Sequence, residues 1–257
     1  MTTTIAVAGK GGTGKTTLAG LLIRYLREQD AGRSILAIDA DPATNLHAVL
    51  GMPEPTSVGH IREETAEDVS RGGQSIPAGM SKQDYFEYQV NMAIEEGNGF
   101  DLIAMGRPEG RGCYCAANNM LRFIIDQIAG GYDYVVMDSE AGLEHLSRRT
   151  TRDVDVMLVV SDPSMRGIVT AGRVLELSRE LENVIGRTYL VVNRVQGELP
   201  PPIVSKVDEL GLTLAGIIPA DPLVPEFDGY GRPLIELPAE SPALQASYQV
   251  ARHVLSA

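Results

Sequence analysis

Gly9-Lys10-Gly11-Gly12-Thr13-Gly14-Lys15-Thr16 is the most informative segment of this chain. It fits Gly-x4-Gly-Lys-[Ser/Thr], and its surroundings fit as well: an apolar, β-rich run at 5–8 leads into it, and an amphipathic helical pattern from about 15 to 29 leaves it. Glycines let successive backbone N–H groups turn inward around phosphate oxygens, and the start of the helix adds its own partial positive charge. Lys15 is placed to neutralise β and γ phosphates, and Thr16 to ligate Mg2+. A glycine-rich turn carrying lysines by accident is disfavoured by composition, because the chain has four lysines against eighteen arginines and two of the four fall inside these eight residues.

Beyond this segment, short apolar runs recur at 35–38, 102–105, 134–137, 156–160, 189–192 and 214–218, with helix-like stretches between them. That alternation predicts an α/β fold: a doubly wound, mostly parallel β-sheet flanked by helices, with ligands gathered at the carboxyl ends of the strands. The expected organisation is a single phosphate-loop domain over 1–257. Between about 52 and 98 the text changes to Pro, Gly and charge, as in Pro53-Glu54-Pro55, and reads as a partly helical, mobile excursion without the apolar mass for a core of its own.

At 257 residues and 44% hydrophobic, the chain can bury a large core without disulfides or structural metal. Its formal charge of −12 repels polyanions, which argues against nucleic acid and anionic membrane as partners. No apolar run approaches the ~20 residues of a membrane span and no charged signal start precedes the first strand, so the expected compartment is the cytoplasm. Cys113 and Cys115 are the only cysteines and stand two positions apart, a spacing that strains a mutual disulfide.

Asp39-Ala40-Asp41-Pro42 ends the second strand pattern and puts two carboxylates at the ligand edge, one for Mg2+ and one for water. Asp138 closes another apolar run and leads into Ser139-Glu140-Ala141-Gly142, which resembles the Walker B and second switch segment of phosphate-loop ATPases; the resemblance implies that Asp138 holds Mg2+ through water and that the side-chain-free Gly142 brings its N–H close to a γ-phosphate. Where a guanine reader carries Asn-Lys-x-Asp, this chain has Asn193-Arg194-Val195-Gln196, which favours adenine.

The stretch 9–17, with Lys10 early and Thr17 late, resembles the deviant phosphate loop of dimeric ATPases that include nitrogenase iron protein and the division-site and partition ATPases. The resemblance implies that Lys10 crosses a homodimer interface to the partner's nucleotide, acting like an arginine finger. It implies that Asp41 orients the attacking water, that Asp39 supports the magnesium shell, and that 138–142 is a Walker B and second switch segment. It further implies that Asn193 sits on the adenine side and that Pro219, Ala220 and Asp221 form a second base-contacting loop, using backbone groups mainly.

Cys113 and Cys115 follow the Gly and Pro rich loop 107–112 and precede a helical pattern, a location near Arg107 and Arg111 that favours thiolates. Two thiolates make half of a tetrahedral soft-metal site, and a two-fold dimer would complete it with four sulfurs. The phosphate loop, Met105-Gly106-Arg107, Gly112-Cys113-Tyr114-Cys115 and 138–146 with its Glu144-His145-Leu146 together resemble the CooC group of carbon monoxide dehydrogenase maturation ATPases over essentially the whole chain. That resemblance implies an ATPase that converts ATP to ADP and phosphate, binds Ni2+ or Zn2+ at the shared cysteines, and assists nickel insertion into apo carbon monoxide dehydrogenase or acetyl-CoA synthase. Two rivals stand beside it. An ATP-driven iron–sulfur redox protein would draw its cysteines from two separated segments, and a positioning or partition ATPase would need a basic surface or tail, whereas 241–257 offers only Arg252 and His253. The four histidines, His47, His60, His145 and His253, are scattered, so nickel storage is not expected.

Overall fold

The computed structural model describes residues 2–29, 32–70, 75–106, 127–139, 154–180 and 185–256. In chain order the elements are β1 (Thr3–Gly9), α1 (Lys15–Gln29), β2 (Ile35–Ala40), α2 (Leu46–Leu50), α3 (Val58–Ser70), α4 (Lys82–Met92), β3 (Glu95–Glu96), β4 (Asp101–Ala104), β5 (Tyr134–Ser139), β6 (Val154–Ser161), α5 (Met165–Glu180), β7 (Ile185–Val195), α6 (Pro201–Glu209), β8 (Leu214–Pro219), α7 (Leu223–Gly229) and α8 (Pro242–Ser256). The strands form one sheet in the order β3-β4-β2-β5-β1-β6-β7-β8. Every pairing is parallel except β3 with β4.

The seven apolar runs of the sequence are the seven strands other than β3. In β1, β2, β4, β5 and β6 the apolar character is continuous because both faces are covered, and alternate residues serve opposite cores, whereas β8 at the sheet margin leaves Leu214 and Ile217 exposed. Ile5 and Val7 of β1 pack with Leu18, Leu22 and Leu26 of α1 and with Val250 and Val254 of α8. Ala6 and Ala8 join the other face with Ile61 of α3, Val90 of α4, Ile168 of α5 and Ile203 of α6. β3 escapes a pattern search because it is two glutamates long; its N–H and C=O groups pair with Leu102 and Asp101 at the sheet margin, and charge there discourages edge-to-edge association.

Parity along the strands positions the site. Asp39 follows Ile35 and Ala37, and Asp138 follows Val136, all on the α1 face. The two aspartates are register partners on adjacent strands, and Asp138 is also opposite Val7 of β1. Both carboxylates therefore stand at the carboxyl edge, on the side where α1 begins. In the 52–98 stretch, α3 and α4 contribute Val58, Ile61, Val90 and Ala93 to the core of the opposite face. Ser81 and Asp84 start α4 with a reciprocal capping box.

Candidate functional site

The phosphate loop is shaped by glycine and by close neighbours. Gly9 has φ +140 and lies so near β6 that a Cβ would meet the Val160 carbonyl oxygen at 2.2 Å; at Gly14, φ +92, a Cβ would meet Asn193 Nδ2 at 2.3 Å. Neither position can carry a side chain. Thr13 Oγ1 donates to the Lys10 carbonyl at 2.8 Å, and Lys15 Nζ donates to the same oxygen at 3.4 Å. Lys15 is buried while Lys10, five residues earlier, is exposed. Leu18 N–H donates to Gly14 O at 3.0 Å and begins α1, with Thr16 and Thr17 half-buried in its first turn.

At the ends of β2 and β5 the polar accounting does not close. Asp138 is 1% exposed, and its Oδ1 has no hydrogen-bond partner. Burial, outweighing a hydrogen bond from Thr16, pushes its pKa up to about 7, with the charges of Asp39 and Asp41 adding to the rise and Lys15 opposing it. Asp39 is fully buried: Oδ1 accepts from Asp41 N–H at 3.1 Å and Oδ2 from Leu46 N–H at 2.8 Å, which fastens the start of α2. Burial raises Asp39 to about 6 against those two bonds. Asp41 is half-buried, with Oδ1 accepting from Ala43 N–H at 2.9 Å. Among the described residues, four buried side-chain atoms lack a partner, and three of them belong to this edge: Asp138 Oδ1, Ser139 Oγ and Nδ1 of His47, whose charge acts on Asp39. An orphaned carboxylate oxygen beside Thr16, with Asp39 and Asp41 near, is a hard-oxygen donor set that fits Mg2+.

Beside the phosphate loop, where the base is expected, lies a cavity of about 670 Å3, a volume in the ordinary range for small-molecule sites. Thr16 and Thr17 line its phosphate end; Asn193, Gln196, Pro219, Ala220 and Asp221 line the rest, with Val224 and Leu234 as apolar wall. Asn193 Nδ2 donates to Thr13 O at 2.8 Å, so the residue expected on the adenine side also braces the phosphate loop. Asp221 is committed to the fold. Its Oδ2 accepts from Ser241 Oγ at 2.6 Å and Ala243 N–H at 3.1 Å, and its Oδ1 from Leu223 N–H at 2.9 Å. Burial pushes this carboxyl up, but those three donors outweigh it and hold the group below the usual carboxylate range.

The expected residues Lys10, Lys15, Thr16, Thr17, Asp39, Asp41, Asp138, Asn193, Pro219, Ala220 and Asp221 are thus brought to one edge of the sheet. Gly142, Cys113, Cys115 and His145 lie outside the described residues. Two participants carried no sequence signal. His47 offers only a helical histidine to a reader of the chain, and Arg194, which donates from Nη1 to Gly12 O at 2.9 Å, owes its place to a left-handed backbone with φ +60. No helix among the described residues is long and apolar enough to cross a membrane.

Comparison with known proteins agrees with this architecture. Over 252 residues the chain is 46% identical to an uncharacterised ATP-binding protein of Methanocaldococcus jannaschii, covering 98% of each. It is 34% identical over 189 residues to the carbon monoxide dehydrogenase accessory protein CooC of Rhodospirillum rubrum, covering 69% of each chain. Among solved structures, the cell division ATPase MinD of Pyrococcus furiosus superposes with a TM-score of 0.71 at 24% identity, over 100% of this chain and 99% of that one, a likeness of fold. Residues 4–234 match the CobQ/CobB/MinD/ParA nucleotide binding domain, and with a phosphate loop, two buried aspartates and a base cavity on one sheet edge, the chain belongs to that family of nucleotide-binding ATPases.

Proposed function

We propose that this chain is an ATP-hydrolysing switch that works as a two-fold dimer and serves the maturation of a nickel enzyme, carbon monoxide dehydrogenase or acetyl-CoA synthase. The observation that carries the ATPase part is the orphaned Asp138 Oδ1 beneath Thr16 and near Lys15. A buried carboxylate without a partner destabilises a fold unless a ligand completes it. In this reading the N–H groups of 9–17 cradle the phosphates, Lys15 leaves the Lys10 carbonyl for the β and γ oxygens, and Asn193, Pro219, Ala220 and Asp221 frame adenine. Thr16, Asp138 and Asp39 would hold Mg2+, which when bound neutralises charge on the phosphate oxygens. Asp41 orients water for attack, Gly142 presents its N–H to the γ-phosphate, and Lys10, exposed in the single chain, reaches the nucleotide of the second copy. The cargo is Ni2+ or Zn2+, held by Cys113 and Cys115 of both chains.

The maturation part is supported by the 34% identity to the CooC accessory protein together with the Cys-x-Cys of this chain. α8 favours the same choice over a membrane-positioning ATPase, since Leu244, Val250 and Val254 turn its apolar face into the core. The test is elemental analysis after anaerobic purification, with and without a non-hydrolysable ATP analogue. One tightly bound metal per two chains is expected, absent from Cys113→Ser and Cys115→Ser variants that still bind ATP. ATP turnover with no retained metal would instead move the chain to the positioning class. One metal per single chain would remove the shared four-sulfur site.

A further inference from the structure

Arg194 is exposed, carries a backbone conformation that L-residues avoid, and has no part in the roles assigned so far. Its position results from a defect in the sheet. β7 and β8 shift register twice, once between Leu190 and Val191 and again between Val192 and Val195, and the two β7 residues inside the second irregularity are Asn193 and Arg194. A bulge of this kind re-aims side chains at a strand end. Here both are aimed at the phosphate loop. Asn193 Nδ2 donates to Thr13 O at 2.8 Å and Arg194 Nη1 to Gly12 O at 2.9 Å, while Asn193 Oδ1 accepts the Arg194 N–H at 2.8 Å and locks the pair together.

Peptide planarity gives this arrangement its consequence. In a trans peptide the carbonyl of one residue and the N–H of the next point in opposite directions. Pinning the Gly12 and Thr13 carbonyls toward β7 therefore turns the Thr13 and Gly14 N–H groups the other way, toward the interior of the loop, where phosphate oxygens are bound. The same bulge is continuous with the base loop, because Ala220 N–H donates to Val195 O at 2.9 Å. Base loop, bulge and phosphate cradle form one hydrogen-bonded path.

We infer that Arg194 is a positioning residue for the phosphate loop, holding the Gly12 carbonyl outward so that the Thr13 N–H is set for phosphate before nucleotide arrives. The inference rests on the ATP-binding reading above and adds to it a residue outside the Gly-x4-Gly-Lys-Thr pattern. A guanidinium suits the task because its charge strengthens the bond to a carbonyl and its planar fork fixes direction. The left-handed backbone at this position is the strain that the arrangement retains.

The test separates phosphate positioning from base contact, since Arg194 also lines the base cavity. Binding of Mg-ATP and of inorganic tripolyphosphate with Mg2+ is measured by calorimetry for the parent, Arg194→Ala, Arg194→Lys and Arg194→Gly. Both ligands should lose roughly five- to tenfold in affinity in the Ala and Gly variants, the net scale of one hydrogen bond, with partial recovery in Lys. Glycine tolerates φ +60, so the melting temperature of nucleotide-free Arg194→Gly should be unchanged or raised even though its phosphate affinity falls. A weaker hold on ATP with unchanged tripolyphosphate affinity would make Arg194 a base contact and overturn the proposal. So would unchanged binding of both ligands, or losses in affinity that merely follow losses in melting temperature. If the parent bound neither ligand, the nucleotide reading itself would fall.

Discussion

Two buried carboxylates stand at the two ends of the nucleotide cleft. Asp221, at the base end, is surrounded by three donors from Leu223, Ser241 and Ala243 and is held below the usual carboxylate range. Asp138, at the phosphate end, is more deeply buried, has one oxygen without a partner, and is pushed up to about 7. The first acts as a rivet between the β8 loop and the start of α8. The second keeps an oxygen that the fold leaves without a partner, and in the proposed reading a ligand supplies it. Burial alone does not distinguish structure from function here; the completeness of the hydrogen bonding does.

The sharpest way to break this contrast is a residue that the apo fold does not need at all. Lys10 is exposed and its side chain makes no hydrogen bond or ion pair among the described residues, so Lys10→Ala should leave the melting temperature and ATP affinity close to those of the parent. If it supplies charge to the phosphate of a second copy, hydrolysis should fall by roughly 10³-fold or more. Steady-state turnover beside calorimetric ATP binding checks this, and near-normal turnover removes the finger role.

The next effect concerns stability, and the two aspartates give it opposite signs. Asp138 is raised in the folded state, so its favourable contribution is complete below about pH 4, its unfolded value, and is lost as pH rises through about 7. Asp221 is depressed, so its contribution is present above about pH 4 and lost as the solution becomes more acid than that. Asp138→Asn should therefore stabilise the nucleotide-free protein at pH 8, by about 2 kcal/mol if the cost is that of one unsatisfied buried charge, while weakening Mg-dependent ATP binding. Urea titrations at pH 5 and pH 8 would show a larger gain at the higher pH. A loss of stability at pH 8 would mean that Asp138 is as well satisfied as Asp221.

The sequence made the phosphate end legible because its chemistry is local. Nine consecutive residues carry the loop, and strand parity then fixes where Asp39 and Asp138 point. Seven strands were equally open to reading: burial on both faces leaves a continuous apolar run in the central ones, and β8 keeps one although Leu214 and Ile217 are exposed. The base end was read only in outline. The bonds that define it join Asp221 to Ser241, twenty residues on, and Asn193 and Arg194 to a loop about 180 residues earlier, and no local pattern announces such pairings. Arg194 was invisible for a further reason: a left-handed arginine is an outcome of a register shift between strands, which side-chain type does not encode. The pair Glu95–Glu96 was missed because two acidic residues at a sheet margin have the composition of a loop.

The smallest expected effect tests the satisfied side of the comparison. Ser241 is the hinge of the rivet: its hydroxyl donates to Asp221 Oδ2 and accepts the Leu244 N–H at 3.1 Å, and Pro242 follows as the first residue of α8, where a missing N–H costs nothing. Ser241→Ala removes a helix cap and one of three donors to the carboxylate, yet leaves the Leu223 and Ala243 N–H groups in place. The expected cost is about 1 kcal/mol, seen as a lower urea midpoint with an unchanged slope. ATP affinity should move by less than the change in stability, because Asp221 frames the base loop through its backbone while its carboxylate faces α8. The stability lost should also be insensitive to pH between 5 and 8, where Asp221 is ionised with or without the hydroxyl. A loss that grew between pH 5 and 8 would show that Asp221, once deprived of Ser241, titrates as Asp138 does, and the line between the riveting and the ligand-seeking carboxylate would then rest on this one hydroxyl.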